Sequence, residues 1–241
     1  MIRILIPMAG KSKFFSEEGS QFPKPLIEVK GQPIIQHTVE CLSKVREAHQ
    51  FIFVVNKDDV EKYHIHNTLK LLTSEQSVIV SQNGNTKGAA CTCLLAVEHI
   101  NGEEELIISN SDQKIDADLN TLISNFRKLN ADAGVVYFES VHPQWSYVKL
   151  EGDHAVTEAA EKNPISKNAI AGFYYFKKGK YFVDSAKASI SKDAQVNGLY
   201  FIAPTLNEMI LKAQKVVALK IPNSEYHSFY SWDKIKEFEK K

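Results

Sequence analysis

Apolar runs alternate with amphipathic segments through the first half of the chain. The first run, at residues 2–7 (Ile-Arg-Ile-Leu-Ile-Pro), stops in a glycine-containing loop, which is typical of a buried parallel strand that ends at a ligand site. The same kind of run predicts further strands at 50–56, 78–81 and 105–109. Apolar residues at helical spacing predict helices at 33–45, 57–72, 89–100 and 119–129.

This alternation predicts the fold class. Strand–helix–strand units are joined by right-handed crossovers, which make neighbouring strands parallel and put helices on both faces of the sheet. We therefore expect an α/β fold with a Rossmann-like three-layer α/β/α arrangement and a mostly parallel central sheet.

The second half is less regular. Its pattern predicts a hairpin of 147–150 and 155–157 around Gly152-Asp153. Further strands are expected at 133–139, 170–176 and 216–221, and helices at 181–188, 204–212 and 232–241. The sequence contains no internal repeat and no linker, so we expect one domain over 1–241, with a change of composition near residue 140.

Composition narrows the possible partners. Hydrophobic residues make up 44% of the chain and charged residues 24%, as in ordinary globular proteins. Lysine plus arginine (29) balances aspartate plus glutamate (29), so no overall field attracts nucleic acid or an anionic membrane. An anionic ligand must therefore be bound by a local site.

Cysteine usage and hydropathy indicate the compartment. The three cysteines, Cys41, Cys91 and Cys93, are odd in number and lie in apolar helical segments, which argues against a disulfide or zinc framework. No basic stretch precedes a long apolar core, and no window approaches eighteen uninterrupted apolar residues. We expect a cytoplasmic protein without signal peptide or membrane span.

The loop after the first run has the composition of a phosphate-binding loop. Met8, Ala9 and Gly10 let backbone N–H groups approach an anion, and Lys11, Lys13 and Lys24 supply positive charge. The alternative is a surface turn with solvated lysines. A Walker P-loop is excluded, because Gly10-Lys11-Ser12 would need a second glycine at position 5, which is leucine.

Three motifs in this region resemble a known family. Pro7-Met-Ala-Gly10, Pro23-Lys-Pro-Leu-Ile-Glu-Val29 and Gly31-Gln-Pro-Ile-Ile35 are similar to the N-terminal signature of the nucleoside-diphosphate-sugar pyrophosphorylases, the sugar-phosphate nucleotidyltransferases of capsule or lipopolysaccharide synthesis. The resemblance implies a fold of the nucleotide-diphospho-sugar transferase type, similar to GT-A. Residues 1–140 would form its nucleotide-binding half and 141–241 its acceptor-binding half.

The resemblance also implies an activity. Such enzymes transfer NMP from an NTP to a sugar 1-phosphate or a similar phosphomonoester and release pyrophosphate. The partners would be these small molecules, with no nucleic acid and no membrane, and a homo-oligomer is left open. The implied catalytic residues are Lys24, Lys13 and Asp112, and Met8, Ala9 and Gly10 would bind the nucleotide.

Asp112 is the strongest candidate from the residues themselves. It follows an apolar strand directly, so the fold puts it at the carboxyl edge of the sheet, where ligands of open α/β proteins bind. A carboxylate there can hold Mg²⁺ together with substrate phosphates, and the resemblance implies this role and this cofactor. The alternative is that Asp112 caps the following turn.

Two further groups match the family by position. Gln82 and Gly88 resemble its base-recognition loop, because an amide offers a donor and an acceptor and glycine leaves room for a base. Glu161, Lys162 and Gly172 resemble its acceptor-binding residues. The alternatives are an ordinary turn for the first group, and a solvated surface pair with a strand glycine for the second.

Two departures from the family pattern keep other functions open. Where the family usually has an arginine, this chain reads Lys11-Ser12-Lys13-Phe14. Lys13 would take the place of that arginine, but lysine cannot make the bidentate contact of a guanidinium. Many members carry a second metal-binding aspartate near the end of the chain, and the corresponding stretch here is residues 227–233. Its aspartate, Asp233, falls later than the family position, inside the predicted terminal helix. A catalytically impaired binding paralogue and a GT-A-type glycosyltransferase remain the alternatives, although Pro-Lys-Pro-Leu has no function in the latter.

Overall fold

A computed structural model describes residues 1–10 and 22–240 of the chain. Within these ranges the strands are β1 (Ile2–Pro7), β2 (Glu28–Val29), β3 (Gln32–Pro33), β4 (His49–Asn56), β5 (Val78–Gln82), β6 (Leu106–Ser109), β7 (Gln113–Ile115), β8 (Ala133–Glu139), β9 (Ser146–Glu151), β10 (Ala155–Glu161), β11 (Asn168–Phe176), β12 (Val216–Lys220) and β13 (Tyr226–Ser228). The helices are α1 (Ile34–Leu42), α2 (Lys57–Tyr63), α3 (Ile65–Leu72), α4 (Ala89–Leu94), α5 (Val97–Ile100), α6 (Leu119–Lys128), α7 (Gly179–Ser191), α8 (Ile202–Leu211) and α9 (Trp232–Glu239). Lys24–Leu26 and Asn223–Glu225 form 3₁₀ turns.

The central sheet has the strand order β5-β4-β1-β6-β11-β8-β12-β10-β9 in the described residues. The first four of these strands are parallel, as the alternating pattern predicts. The remainder is mixed, because β11 is antiparallel to both β6 and β8, β12 is parallel to β8, and β9 and β10 form the predicted hairpin. The sheet as a whole is therefore not mostly parallel, since β11 is antiparallel to β6 and β8, and β10 is antiparallel to β9 and β12.

Each face of the sheet carries its own apolar core. Side chains alternate between the two faces of a strand, so in β1 Ile4 and Ile6 join one core and Leu5 joins the other. The first core packs against α1, α3 and α6, and the second against α4, α5, α7 and α8. The three-layer arrangement follows from strands that are apolar on both faces.

Two predicted helices are each divided into two. The segment at 57–72 breaks at His64, whose φ of 51° is left-handed and ends α2 before α3 begins. The segment at 89–100 breaks after α4, and Ala96 (φ −93°, ψ 17°) precedes α5. Apolar spacing continues across both breaks because the two pieces of each segment pack on the same face of the sheet, so the pattern alone predicts one helix.

A small third core joins the segment at 27–34 to the C-terminal end of the described chain. Phe229 and Ile235, near and within α9, pack with Ile27, Val29 and Ile34. The rings of Phe229 and Phe238 lie 5.1 Å apart, edge to face. The third core as a whole holds the segment after Lys24 against Phe229, the residue that follows β13. None of the described helices is long and apolar enough to span a membrane. The one-domain organisation with halves at 1–140 and 141–241 stays a prediction.

Gly179 provides a test of the packing between layers. A Cβ at Gly179 would overlap the carbonyl oxygen of Ile100 and lie 3.0 Å from its carbon, and neither backbone can yield easily. We expect Gly179→Ala to lower the free energy of unfolding by about 3 kcal/mol, as overpacking does. Urea denaturation followed by circular dichroism would measure this.

The matched control is Gly102→Ala, whose Cβ would meet the carboxylate of Glu104 at the far end of a flexible side chain. That side chain can turn away, so the control should change stability by no more than about 0.5 kcal/mol. Equal stabilities of the two variants would contradict the close backbone approach of α7 to α5.

Candidate active site

The site lies where the strand order reverses. From β1 the chain adds β4 and then β5 on one side, and β6 then pairs with the other side of β1. The carboxyl ends of parallel strands meet at one edge, and such a reversal leaves a crevice for a ligand there. Lys24 follows β1 and Asp112 follows β6, and the ammonium of Lys24 forms an ion pair with the carboxylate of Asp112.

The ion pair is mostly shielded from solvent. The side chain of Lys24 is 17% exposed and that of Asp112 is 20% exposed. Charges in such a setting interact more strongly than on an open surface, and removing one partner leaves the other poorly solvated. Both residues are predicted from the sequence as site residues, and the structure brings them into contact.

Proline geometry presents Lys24 to the site. Pro23 precedes a 3₁₀ turn with φ −64°, a value that its ring enforces, and Pro25 is buried. The N–H of Leu26 donates to the carbonyl of Pro23 at 2.9 Å, and that of Ile27 to Lys24 at 3.2 Å. The turn therefore fixes the backbone from which the Lys24 side chain extends.

Backbone contacts from the second half hold the Asp112 loop. The N–H of Phe229 donates to the carbonyl of Asp112 at 2.8 Å, and the N–H of Asn110 donates to that of Gly172 at 3.0 Å. Gly172 has a left-handed φ of 58°, and a Cβ there would overlap the amide of Asn110 and lie 2.5 Å from Oε1 of Gln113. Gly172 is thus required both by its backbone conformation and by its close approach to the Asp112 loop.

A cleft of about 390 Å³ opens beside the ion pair, within the usual volume range of small-molecule sites. Four predicted residues line it together: Asp112, Glu161, Lys162 and Gly172. Aromatic side chains that the sequence analysis did not name form much of the remaining wall: Trp145, Tyr174, Phe201 and Tyr230. The predicted metal residue and the predicted acceptor residues therefore share one cleft.

The acceptor-side pair combines a shielded carboxyl with a solvent-accessible cation. Burial raises the pKa of Glu161, and the hydroxyl of Ser146, which donates to its carboxylate, and the charge of Lys162 offset this in part. Lys162 is exposed, with a left-handed φ of 54°, and its ammonium lies 4.9 Å from the centre of the Phe201 ring. An anion at this end of the cleft would meet Lys162 first.

The loop at 82–88 is braced by its own polar groups. Gln82 is buried, its amide N–H donates to the carbonyl of Gly84 at 3.1 Å, and its oxygen accepts from Thr92 at 3.2 Å. Gly88 has a φ of 109°, and a Cβ there would lie 2.7 Å from the backbone nitrogen of Tyr200. Neither residue is part of the cleft wall described above, where Ala89 is the first contributor of this segment.

Part of the loop that follows β1 is buried in the core. Met8 and Ala9 are buried, and the N–H of Met8 donates to the carbonyl of Val54 at 2.9 Å, so it is already used in the sheet. Gly10 is exposed. Lys13, the remaining predicted catalytic residue, lies outside the described residues, as does Lys11.

Ser228 is a further cleft residue that the sequence pattern does not predict. It ends β13, which pairs with β7 so that Ser228 lies opposite Gln113, and it lines the cleft with Asp112. Asp233 instead lies in the first turn of α9 and lines a neighbouring cavity, as its late position predicts. No signal could have identified Ser228, because strands of three residues are too short to show a period of two.

Comparison with known proteins identifies a family that matches most of the chain. The model of the nucleotidyl transferase family matches residues 19–228. The bifunctional protein GlmU of Methanocaldococcus jannaschii is 27% identical over 224 residues, which are 90% of this chain and 48% of that protein. GlmU of Methanococcus aeolicus is 24% identical over 176 residues, 71% of this chain and 39% of that protein. The chain thus spans half or less of the length of the curated relatives it matches.

Solved structures share the whole fold. A nucleoside-diphosphate-sugar pyrophosphorylase of Vibrio cholerae RC9 superposes with a TM-score of 0.88 at 25% identity, covering 99% of this chain and 100% of that one. A UDP-glucose pyrophosphorylase bound to UDP-glucose has a TM-score of 0.79 at 18% identity, covering 100% and 98%. The inositol-1-phosphate CTP transferase of T. maritima has one of 0.76 at 12% identity, covering 96% and 90%.

These comparisons confirm the α/β fold of the nucleotide-sugar transferase type and the resemblance drawn from the N-terminal motifs. The matched region begins before Lys24 and reaches Ser228, so it contains every described residue that lines the cleft except Tyr230. The protein belongs to the nucleotidyl transferase family.

Proposed function

We propose that this chain transfers NMP from an NTP to a sugar 1-phosphate or a similar phosphomonoester, with release of pyrophosphate. The ion pair of Lys24 with Asp112, in the cleft that Glu161 and Lys162 also line, carries the proposal. Relatives of the same fold support it, since they include a nucleoside-diphosphate-sugar pyrophosphorylase and an inositol-1-phosphate CTP transferase.

The reaction joins two polyanions. A phosphate oxygen of the acceptor forms a bond to the α-phosphorus, and the bond from that phosphorus to the oxygen bridging to the β-phosphate breaks. The bonding electrons leave with pyrophosphate, so no covalent enzyme intermediate is needed. Catalysis then depends on in-line positioning and on neutralising charge.

Each side chain has a place in this scheme. Lys24 stabilises negative charge on the α-phosphate, and Lys162 orients the attacking phosphate. Glu161 hydrogen-bonds a hydroxyl of the acceptor, which its protonated form can do as a donor. The loop of Met8, Ala9 and Gly10 holds the leaving pyrophosphate through groups other than the N–H of Met8, which is bonded in the sheet, and Lys13 adds charge to it. Gln82 and Gly88 belong to the braced loop that contacts the base of the nucleotide.

The residues fit a magnesium ion. Mg²⁺ prefers oxygen ligands and is commonly held by one or two carboxylates plus substrate phosphates and water. Asp112 supplies one carboxylate at the cleft and Ser228 a hydroxyl oxygen. When bound, the ion would neutralise phosphate charge at Asp112.

Ligand binding requires an exchange of partners. Lys24 now neutralises Asp112. The Asp112 carboxylate would instead hold a magnesium ion, and the ammonium of Lys24 would then contact the substrate phosphates. The two charges that are paired in this structure would be divided between metal and substrate.

The setting follows from the reaction. The substrates are soluble phosphates, so we propose a cytoplasmic location without nucleic acid or membrane partners. Cys41, Cys91 and Cys93 are all free, which suits a reducing compartment. A homo-oligomer stays a prediction, as does a place in polysaccharide precursor synthesis.

Pyrophosphate release tests the proposed activity. UTP, TTP, CTP and GTP would each be incubated with Mg²⁺ and a panel of sugar 1-phosphates and other phosphomonoesters. We expect release with at least one pair, and Lys24→Ala should lower kcat/KM for that pair by about 10²–10³-fold, as the loss of one charge-stabilising donor does.

The control for this substitution is Lys220→Ala, which removes a lysine that pairs with Glu139 on the exposed end of β12. It should leave kcat/KM within about twofold. Nucleotide binding without release from any pair would support the catalytically impaired paralogue instead. Full activity of Lys24→Ala would remove Lys24 from the mechanism.

Glu161 predicts a pH dependence of stability. Because burial raises the pKa of Glu161, the folded chain binds this proton more tightly than the unfolded chain, whose glutamate titrates near pH 4.3. The contribution of the carboxyl to stability is therefore fully present below that pH and is lost as the pH rises through the folded pKa. Glu161→Gln keeps a neutral side chain throughout.

We accordingly expect the free energy of unfolding of Glu161→Gln, relative to wild type, to increase from pH 4.5 upward and to level off above the folded pKa. Denaturant titrations at several pH values would measure the difference. Glu151→Gln, at an exposed position in β9, is the control and should give a flat difference. Parallel stability curves for wild type and Glu161→Gln would refute the shifted pKa.

A further inference from the structure

Gln113 is buried directly beside Asp112 and uses all of its polar atoms. Its side-chain N–H groups donate to the carbonyl of Gly172 at 2.9 Å and to the hydroxyl of Ser109 at 3.2 Å. Its side-chain oxygen accepts from the hydroxyl of Tyr226 at 3.4 Å. At 2% exposure, this side chain has little access to solvent, so its hydrogen bonds are made within the protein.

The backbone of Gln113 is held as well. The hydroxyl of Thr38 in α1 donates to the carbonyl of Gln113 at 2.7 Å and accepts from its N–H at 3.4 Å. The segment that carries Lys24 leads directly into α1, and Ile34 at the start of that helix donates to Ile27 at 2.9 Å. The Thr38 contact therefore links the Lys24 segment to the Asp112 loop by a route separate from the ion pair.

Four parts of the fold meet at this one residue. The partners of Gln113 belong to α1, the end of β6, the bend in β11 at Gly172, and β13. These are the elements that carry or adjoin Lys24, Asp112, the cleft wall and Ser228. A change at Gln113 would thus alter the distances among all of them, although the residue is not part of the described cleft lining.

We propose that Gln113 is a positioning residue that fixes the Asp112 carboxylate relative to Lys24 and to the cleft, which rests on the function proposed above. Glutamine suits this position because it combines donors for Gly172 and Ser109 with an acceptor for Tyr226. Methionine has a similar shape but none of these hydrogen bonds, and it leaves the Gly172 carbonyl without this partner. The absence of a side chain at Gly172 makes room for the amide.

The test separates positioning from stability by measuring chemistry, acceptor binding and metal binding in Gln113→Met. A displacement of about 1 Å at a reacting group costs on the order of 10²-fold. We expect kcat to fall about 10- to 100-fold while KM for the acceptor stays within about twofold. Binding of Mn²⁺, followed by its electron paramagnetic resonance signal with the α,β-methylene analogue of the preferred NTP, should weaken at least fivefold.

The matched control is Asn120→Leu, because Asn120 is also an amide that bridges two main-chain groups. It accepts from the N–H of Arg46 at 2.9 Å and donates to the carbonyl of Lys44 at 3.0 Å, in the loop between α1 and β4. This variant should lose stability and keep kcat and Mn²⁺ affinity within about twofold. A second variant, Thr38→Val, removes the hydroxyl that holds the Gln113 backbone and should lower kcat about 3- to 10-fold even where Gln113→Met does not fold.

The outcomes distinguish the two proposals. If the wild-type protein neither binds Mn²⁺ with any NTP analogue nor turns over any pair of NTP and acceptor, the proposed function fails. If wild type binds and turns over, but folded Gln113→Met or Thr38→Val retains wild-type kcat and Mn²⁺ affinity, the positioning role of Gln113 is overturned. A loss of kcat equal to that of Asn120→Leu would overturn it too.

Discussion

The site depends on β1 and β6 being neighbours in the sheet. Both strands are apolar on their two faces, so the layers of helices hold them side by side and parallel. Loops that leave neighbouring parallel strands emerge at the same edge, and this is why a lysine and an aspartate 88 positions apart form an ion pair. The pair is shielded, so each charge needs the other until a ligand replaces it.

The antiparallel strand β11 completes the site because it extends beyond the end of β6. Phe173 pairs with Ser109, the last residue of β6, so residues before Phe173 continue past the end of β6 along the cleft. Ile170 and Gly172 therefore form the wall beside Asp112, and the hairpin of β9 and β10 brings Glu161 to the same wall. The length of β11, nine residues against four in β6, therefore supplies one side of the cleft.

The sequence predicts the parts of the site that follow from local pattern. The strand and loop order of the first half put Asp112 at the sheet edge, and the motif at Pro23 indicated Lys24. The pairing of β11 with β6 could not be predicted, because it joins residues more than sixty positions apart. Gln82 shows another limit of pattern: an amide in a loop offers a donor and an acceptor, and here both serve Gly84 and Thr92.

Ser228 changes the charge balance of the cleft. A second carboxylate facing Asp112 would hold a metal ion more firmly, but it would also repel two polyanionic substrates. Among the described residues, Lys162 is the cation that lines the cleft, and Lys24 beside the cleft is paired with Asp112. Burial raises the pKa of Glu161. With so little fixed positive charge, a neutral hydroxyl at position 228 limits repulsion. The magnesium ion proposed for this cleft would then gain most of its affinity from the phosphates that it accompanies.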